Sequence, residues 1–206
     1  LFVDASQAAA HLAIDLSAWK ITYLLVSAHK MYGPKGIAAL ITDAEGLGVV
    51  RDMESEEGTP NVPAIAGLAE ACRICGSEMD ESAARVGRLR DRLEGLLRRG
   101  IDGLVVNGDP VNRLPHNLHV SVPDVPNDAV VARLSRSVAL STGSACRWGT
   151  DLPSHVLEAM RLPPGVVEGA LRMGLGRETT VEEVDEAASL IVAAVAAVRR
   201  SMHGEG

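Results

Sequence analysis

Cysteine is scarce in this chain: three residues in 206. That is an odd number and too few for a disulfide framework, so Cys72, Cys75 and Cys146 read as reduced thiols, one of them open to chemistry. Runs of lysine or arginine are also absent, and 27 acidic against 20 basic side chains leave a net charge of -7. The basic footprint that phosphate backbones require is missing, which argues against nucleic acid as a partner. No stretch approaches the roughly 20 apolar residues of a membrane span, and no charged-then-apolar leader precedes a cleavage site. The expectation is a cytoplasmic protein without a membrane partner. An initiating methionine is lacking too, since Leu1-Phe2-Val3 opens the chain as a strand that stops at Asp4. The reading is of a fragment whose upstream half is absent.

What is present is an interleaving of short apolar runs with helical pieces. Leu1 to Val3, Ile21 to Val26 and Gly36 to Thr42 read as strands, with a helical piece from Gln7 to His11. Strands alternating with short helices predict α/β architecture. An Ala-rich stretch from Asn61 to Gly76 predicts one helix, and Glu81 to Arg99 a second, with Val86, Leu89, Leu93, Leu96 and Leu97 at helical spacing. Gly100 to Gly108 turns the chain. Asn117 to Val122 and Val138 to Leu140 read as strands flanking a helix from Asn127 to Leu134. Thr180 with Glu183 three residues on marks a capping box at the last helix, whose Val184, Ala188, Ile191, Val195 and Val198 share one side. Two domains are expected, residues 1–80 and a compact α/β domain over 81–206.

Several side chains suit chemistry. Ser27-Ala28-His29-Lys30 follows a strand, and Met31 to Gly36 makes a tight return, so Lys30 sits on a turn at a strand end. Gly-Pro bracing there suits a lysine that forms an imine with an aldehyde cofactor; an ordinary exposed turn lysine fits the same residues. Asp4 closes the first strand, with Gln7 just beyond, and its carboxylate either caps the following turn or holds a pyridine nitrogen protonated. Ser141-Thr142-Gly143-Ser144-Ala145 leaves little bulk around Cys146, which favours an exposed thiol over a buried structural one.

Arg172 lies on a strand-like piece, where its guanidinium fork suits a carboxylate. Arg177, beyond Gly176, fits a surface ion pair. Cys72 and Cys75 have C-x-x-C spacing but lie mid-helix without a second pair, which favours helix packing over metal binding. His116 and His119 sit three apart on an expected strand, where alternation sends them to opposite faces. No metal is assigned.

Taken in order, four segments resemble the cysteine desulfurases of the NifS and IscS type, within the class V aminotransferase-like group of pyridoxal phosphate enzymes. They are Asp4-Ala5-Ser6-Gln7; Ser27-Ala28-His29-Lys30 with Tyr32-Gly33-Pro34-Lys35-Gly36; Thr142-Gly143-Ser144-Ala145-Cys146 with Pro153-Ser154-His155-Val156-Leu157; and Leu171-Arg172 with Gly176-Arg177-Glu178-Thr179-Thr180. The resemblance implies the C-terminal part of a pyridoxal-phosphate-dependent transferase fold, a remnant of the large domain followed by the small one. It implies pyridoxal 5'-phosphate carried on Lys30, with Asp4 facing the ring nitrogen, Gln7 the ring oxygen, and Ser27 and His29 the phosphate. Thr59 would reach the phosphate of a partner subunit, in keeping with an implied homodimer whose active sites share residues. Arg172 would clamp the carboxylate of L-cysteine. Cys146 would take its sulfur as a persulfide, releasing L-alanine, for delivery to an acceptor protein such as an iron-sulfur scaffold. The loop around Cys146 is similar to the longer-loop branch of the family.

Residues 48–61 depart from the family pattern. Only Gly58-Thr59-Pro60-Asn61 keeps it, and Glu56 stands where a basic residue is expected, a repulsive neighbour for a phosphate. Because the upstream half of the family's length would hold the residue that stacks on the ring, these residues alone are expected to bind the cofactor poorly and turn over little cysteine. Two other readings stand beside the first. Another class V enzyme, an aminotransferase or selenocysteine lyase, would use Lys30 and Arg172 without needing Cys146. A non-enzymatic remnant would keep the small-domain fold and a docking surface.

Overall fold

Alternation in Tyr23-Leu24-Leu25-Val26-Ser27 sets the first sheet, because Leu24 and Val26 point to one face and are buried while their neighbours are half-buried. The computed structural model describes residues 1–43, 46–48, 58–142 and 154–204, which divide into two units, Leu1–Ala83 and Ala84–Gly206. In the first, β1 (Phe2–Asp4), β2 (Tyr23–Ser27) and β3 (Ala38–Thr42) lie in the order β1-β2-β3. β1 runs parallel to β2 with Asp4 opposite Leu25, and β3 runs antiparallel with Ala38 opposite Ser27. The core gathers Ala5, Ala10, Ile21, Leu24, Val26, Met31 and Ala71.

The expected helical piece from Gln7 to His11 is instead a succession of turns, in which the N–H groups of Ala8 and Ala9 both donate to the Ala5 carbonyl. So short a piece cannot recover the cost of helix nucleation.

The sequence predicts two helices across residues 61–99, and the chain forms one, α1 (Val62–Gly100, 39 residues). Asn61 caps it, accepting the Ala64 N–H at 3.2 Å. Nothing between Gly76 and Glu81 breaks it: a lone mid-helix glycine costs only about 1 kcal/mol. The Ser77 hydroxyl donates back to the Ile74 carbonyl at 2.9 Å, a bond compatible with the helix.

In the second unit, β4 (Val105–Val106), β5 (Asn117–Ser121) and β6 (Ala170–Gly174) form an antiparallel sheet in that order. Its apolar face, with Leu118, Val120, Leu171 and Met173, shares a core with Val86, Leu89, Leu93 and Leu97 of α1. α2 (Asn127–Leu134) contributes Val130 and Leu134. The last helix contributes Val184, Ala188, Ile191, Val195 and Val198, as its spacing predicts. Each fully buried Leu or Ile here contributes roughly 1.5–3 kcal/mol. Two short helices, α3 (His155–Ala159) and α4 (Pro164–Glu168), precede β6. The last, α5 (Val181–Met202), opens on the predicted capping box, in which Thr180 Oγ1 accepts the Glu183 N–H and the Glu183 carboxylate accepts the Thr180 N–H.

Val138 to Leu140 is not a strand. Only Ser141 joins the sheet edge, through an isolated bridge in which it and Arg172 exchange backbone hydrogen bonds of 3.1 and 2.7 Å. Val138 and Leu140 pack against the core, and that burial accounts for their apolar character. No helix among the described residues is long and apolar enough to cross a membrane.

Candidate active site

Parallel strands end on the same side of a sheet, and β1 and β2 place Asp4 and Ser27 there, the edge at which open α/β sheets bind ligands. Ser27 extends two residues past the register partner of Asp4, about 7 Å along the strand. The chain then makes a 3-10 turn, Ala28–Lys30, so His29 and Lys30 are exposed while Ala28 is fully buried. Ser27 Oγ and His29 Nδ1 lie 2.8 Å apart.

The turn is braced from two sides. Met31 and Gly33 both donate their N–H to the Ala28 carbonyl at 2.9 Å, Tyr32 takes a left-handed φ of 62°, and Gly36 follows at 81°. From α1, Gly67, Ala71 and Cys75 form one stripe at four-residue spacing against the same turn. A Cβ at Gly67 would stand 2.9 Å from Pro34 Cγ, and one at Gly33 would stand 3.1 Å from Ala71 Cβ. Cys75 Sγ lies 3.9 Å from the Met31 carbonyl. The C-x-x-C pair thus divides: Cys75 packs on the first core and Cys72 is exposed.

Asp4 accepts the Ser6 N–H at 2.9 Å, and hydrogen bonding from the Ser6 side chain and backbone holds its carboxyl below the usual range. It therefore caps the first turn and remains an exposed anion. Gln7 is exposed on that turn, and Thr59 is exposed in the stretch just before the Asn61 cap. Asp4, Ser27, His29 and Lys30 are brought to one edge.

Arg172 belongs to the second unit. It lies on β6 opposite His119 of β5, on the face of the sheet away from the apolar core. His119 Nδ1 is 2.9 Å from the Asn107 amide nitrogen, which also donates to the fully buried Ser121 Oγ at 2.8 Å. Burial, and secondarily the neighbouring Arg172 charge, push the His119 imidazole below its ordinary pKa. His116 precedes the strand, its carbonyl accepting the Leu175 N–H at 2.9 Å. Arg177 pairs with Glu178 at 3.4 Å, as a surface arginine does. Arg85 of α1 donates to the carbonyls of Gly176, Arg177 and Thr179 and fixes the loop after β6.

Cys146 and Glu56 lie outside the described residues, and so does Pro153. The residues bordering the Cys146 segment are placed: Ser141 is pinned to Arg172, and Ser154 occupies the N-cap position of α3 without a side-chain capping hydrogen bond. Sequence reasoning missed Arg85, Asn107 and the pairing of His119 with Arg172. Helical spacing flagged the face that bears Arg85 but not its target, and no local signal marks Asn107.

Comparison with known proteins follows the same lines. The family model described as aminotransferase class-V matches residues 1–55 and 50–187. A cysteine desulfurase of Bradyrhizobium diazoefficiens is 40% identical over 206 residues, spanning 96% of this chain and 52% of that protein. The cysteine desulfurase IscS of Colwellia psychrerythraea is 39% identical over 96% of this chain and 50% of its own length. Among solved structures, a NifS-like protein superposes with a TM-score of 0.78 at 27% identity, over 95% of this chain and 52% of that one. DndA from Streptomyces lividans does so at 0.63 and 31%, over 84% and 51%. The chain spans about half the length of the curated relatives it matches.

Proposed function

Because the chain belongs to the aminotransferase class-V family, we infer that it contributes the cofactor-bearing lysine and the sulfur-accepting thiol of a pyridoxal-phosphate-dependent cysteine desulfurase. The observation that carries this reading is the gathering of Asp4, Ser27, His29 and Lys30 at one edge of the first sheet. The donor set fits pyridoxal phosphate. Asp4 is held ionised and matches a protonated ring nitrogen; Ser27 and His29 offer polar hydrogens to a phosphate; Gln7 stands on the adjoining turn for the ring oxygen. The exposed Lys30 amine is free to meet an aldehyde.

When bound, pyridoxal phosphate supplies an aldehyde for the lysine and a ring that withdraws electrons from the substrate's α-carbon. The remaining tasks fall to this chain's own groups. Lys30 Nζ takes up and returns the α-proton, and the Arg172 fork holds the carboxylate of L-cysteine. The Cys146 thiolate attacks the substrate sulfur, so an S–S bond forms as the C–S bond breaks. The electron pair of that broken bond stays on carbon, which is protonated and leaves as L-alanine. The persulfide on Cys146 then passes to an acceptor protein, for which an iron-sulfur scaffold is the chemical match. A homodimer is part of the reading, with Thr59 reaching a partner's phosphate.

Borohydride trapping tests it directly, because the chain has only three lysines, Lys20, Lys30 and Lys35. After reduction with pyridoxal phosphate, the label is expected on Lys30 and is expected to vanish in Lys30→Ala. Label spread evenly over Lys20 and Lys35 would reject the assignment.

A further inference from the structure

Arg172 and His119 occupy a pairing site that brings their side chains close. Ser141 takes both backbone hydrogen bonds of Arg172, while His119 turns its carbonyl toward β4, accepting the Asn107 N–H at 2.9 Å. The two residues therefore form a non-hydrogen-bonded cross-strand pair, the kind with Cβ atoms about 5 Å apart on one face.

The Asn107 side chain decides the imidazole tautomer. As placed, its amide nitrogen spends both N–H groups, on His119 Nδ1 and Ser121 Oγ, and leaves Oδ1 as a buried orphan. The flipped amide would bury two unsatisfied donors in place of one unsatisfied acceptor, so the observed orientation wins. An amide N–H facing Nδ1 makes that nitrogen an acceptor, and the single ring proton of the neutral imidazole sits on Nε2. Among the described residues, neither His119 Nε2 nor the Arg172 guanidinium has a hydrogen-bond or ion-pair partner, and neither is enclosed as an orphan. Two unspent donors thus stand side by side on the polar face of the sheet.

We propose that His119 is the second donor of a carboxylate site shared with Arg172, its Nε2–H bonding the α-carboxylate of an amino acid that the guanidinium clamps. This rests on the reading of Arg172 as a carboxylate clamp. Arg172 supplies the charge. A neutral imidazole beside it adds direction without a second cation to repel the first, and its depressed pKa agrees with that arrangement. A carboxylate taking a bidentate fork and one further N–H is held in a single plane and orientation.

The test uses the full chain and L-alanine, which carries the carboxylate but no sulfur to react. Nitrogen NMR of the labelled imidazoles is expected to show His119 protonated at Nε2 and bare at Nδ1. L-Alanine is expected to shift the Nε2 resonance, and L-alanine methyl ester is not. Arg172→Gln is expected to abolish binding; His119→Ala is expected to weaken it roughly ten-fold, the cost of one hydrogen bond to a charged group. His119→Gln, whose amide can stand in for Nε2–H, is expected to restore it to within about three-fold, which loss of packing would not explain.

If Arg172→Gln abolishes binding while His119→Ala and His119→Gln bind as the parent does, the second donor is disproved and the clamp survives. A His119 proton found on Nδ1 has the same consequence. Binding unaffected by Arg172→Gln, or no response to L-alanine, overturns the clamp and the second donor with it.

Discussion

Arg92 of α1 and Asp185 of α5 meet through two hydrogen bonds of 2.6 Å, one from Nε and one from a terminal guanidinium nitrogen. The bonds lower the Asp185 carboxyl and raise the Arg92 guanidinium. Both side chains are nonetheless about half exposed. Water and ions compete for a pair in that position, so Asp185→Asn is expected to lower the melting temperature only slightly at low ionic strength. At 1 M salt, where the Debye length is about 3 Å, the gap should close. A large loss that persists in high salt would show that the fork fixes the helix pair.

Burial outweighs that surface pair. Leu118 is fully buried on β5 within the larger core. Leu118→Ala is expected to cost about 2–5 kcal/mol, read as a shift of the urea midpoint. Leu40→Ala, at a position 42% exposed, is the comparison and is expected to stay within about 0.5 kcal/mol. Equal effects at the two sites would contradict the placement of the core.

Acid is expected to weaken the fold before the carboxylates titrate. His11 and His119 both have their pKa lowered, in each case chiefly by burial. The unfolded chain binds these protons at about pH 6.5 and the folded chain only below that. Their contribution is therefore complete above pH 6.5 and is lost as pH falls toward the folded values. Melting curves from pH 7.5 to 5 should show that decline, and His119→Gln should remove part of it. A melting temperature unchanged over this range would contradict the buried, neutral assignment.

Sulfur transfer separates the desulfurase reading from other class V chemistry. After incubation with L-cysteine and pyridoxal phosphate, sulfane sulfur should be found on Cys146 and be missing from Cys146→Ser. Borohydride labelling of Lys30 should be equal in the two. Sulfur carried equally by Cys72 or Cys75, or retained in Cys146→Ser, would make the Cys146 thiol incidental.

Local patterns were legible where the interaction is local. The Thr180 cap lies three residues from Glu183, Asn127–Leu134 is a helix over the predicted residues, and the stripes on α1 and α5 follow from a period of 3.6. The misreadings came where packing overrode local preference. Gly76 looked like a helix end, yet α1 continues through it because buried residues anchor the helix before and after it, Ala71 on one side and Val86 on the other; Val138 and Leu140 looked like a strand because they are apolar, yet they pack on the core without a ladder.

By itself the sequence determined which residues are suited to chemistry, since Lys30 on a turn after a strand, Asp4 at a strand end and Arg172 on a short strand are local features. Tertiary structure alone decided which of them share a surface. Asp4 and Ser27 reach one edge only through parallel pairing of β1 with β2, and His119 meets Arg172 only through the register of two strands far apart in the chain. Register follows from the burial of alternate side chains across the whole sheet, an energy summed over residues that no short stretch of sequence contains.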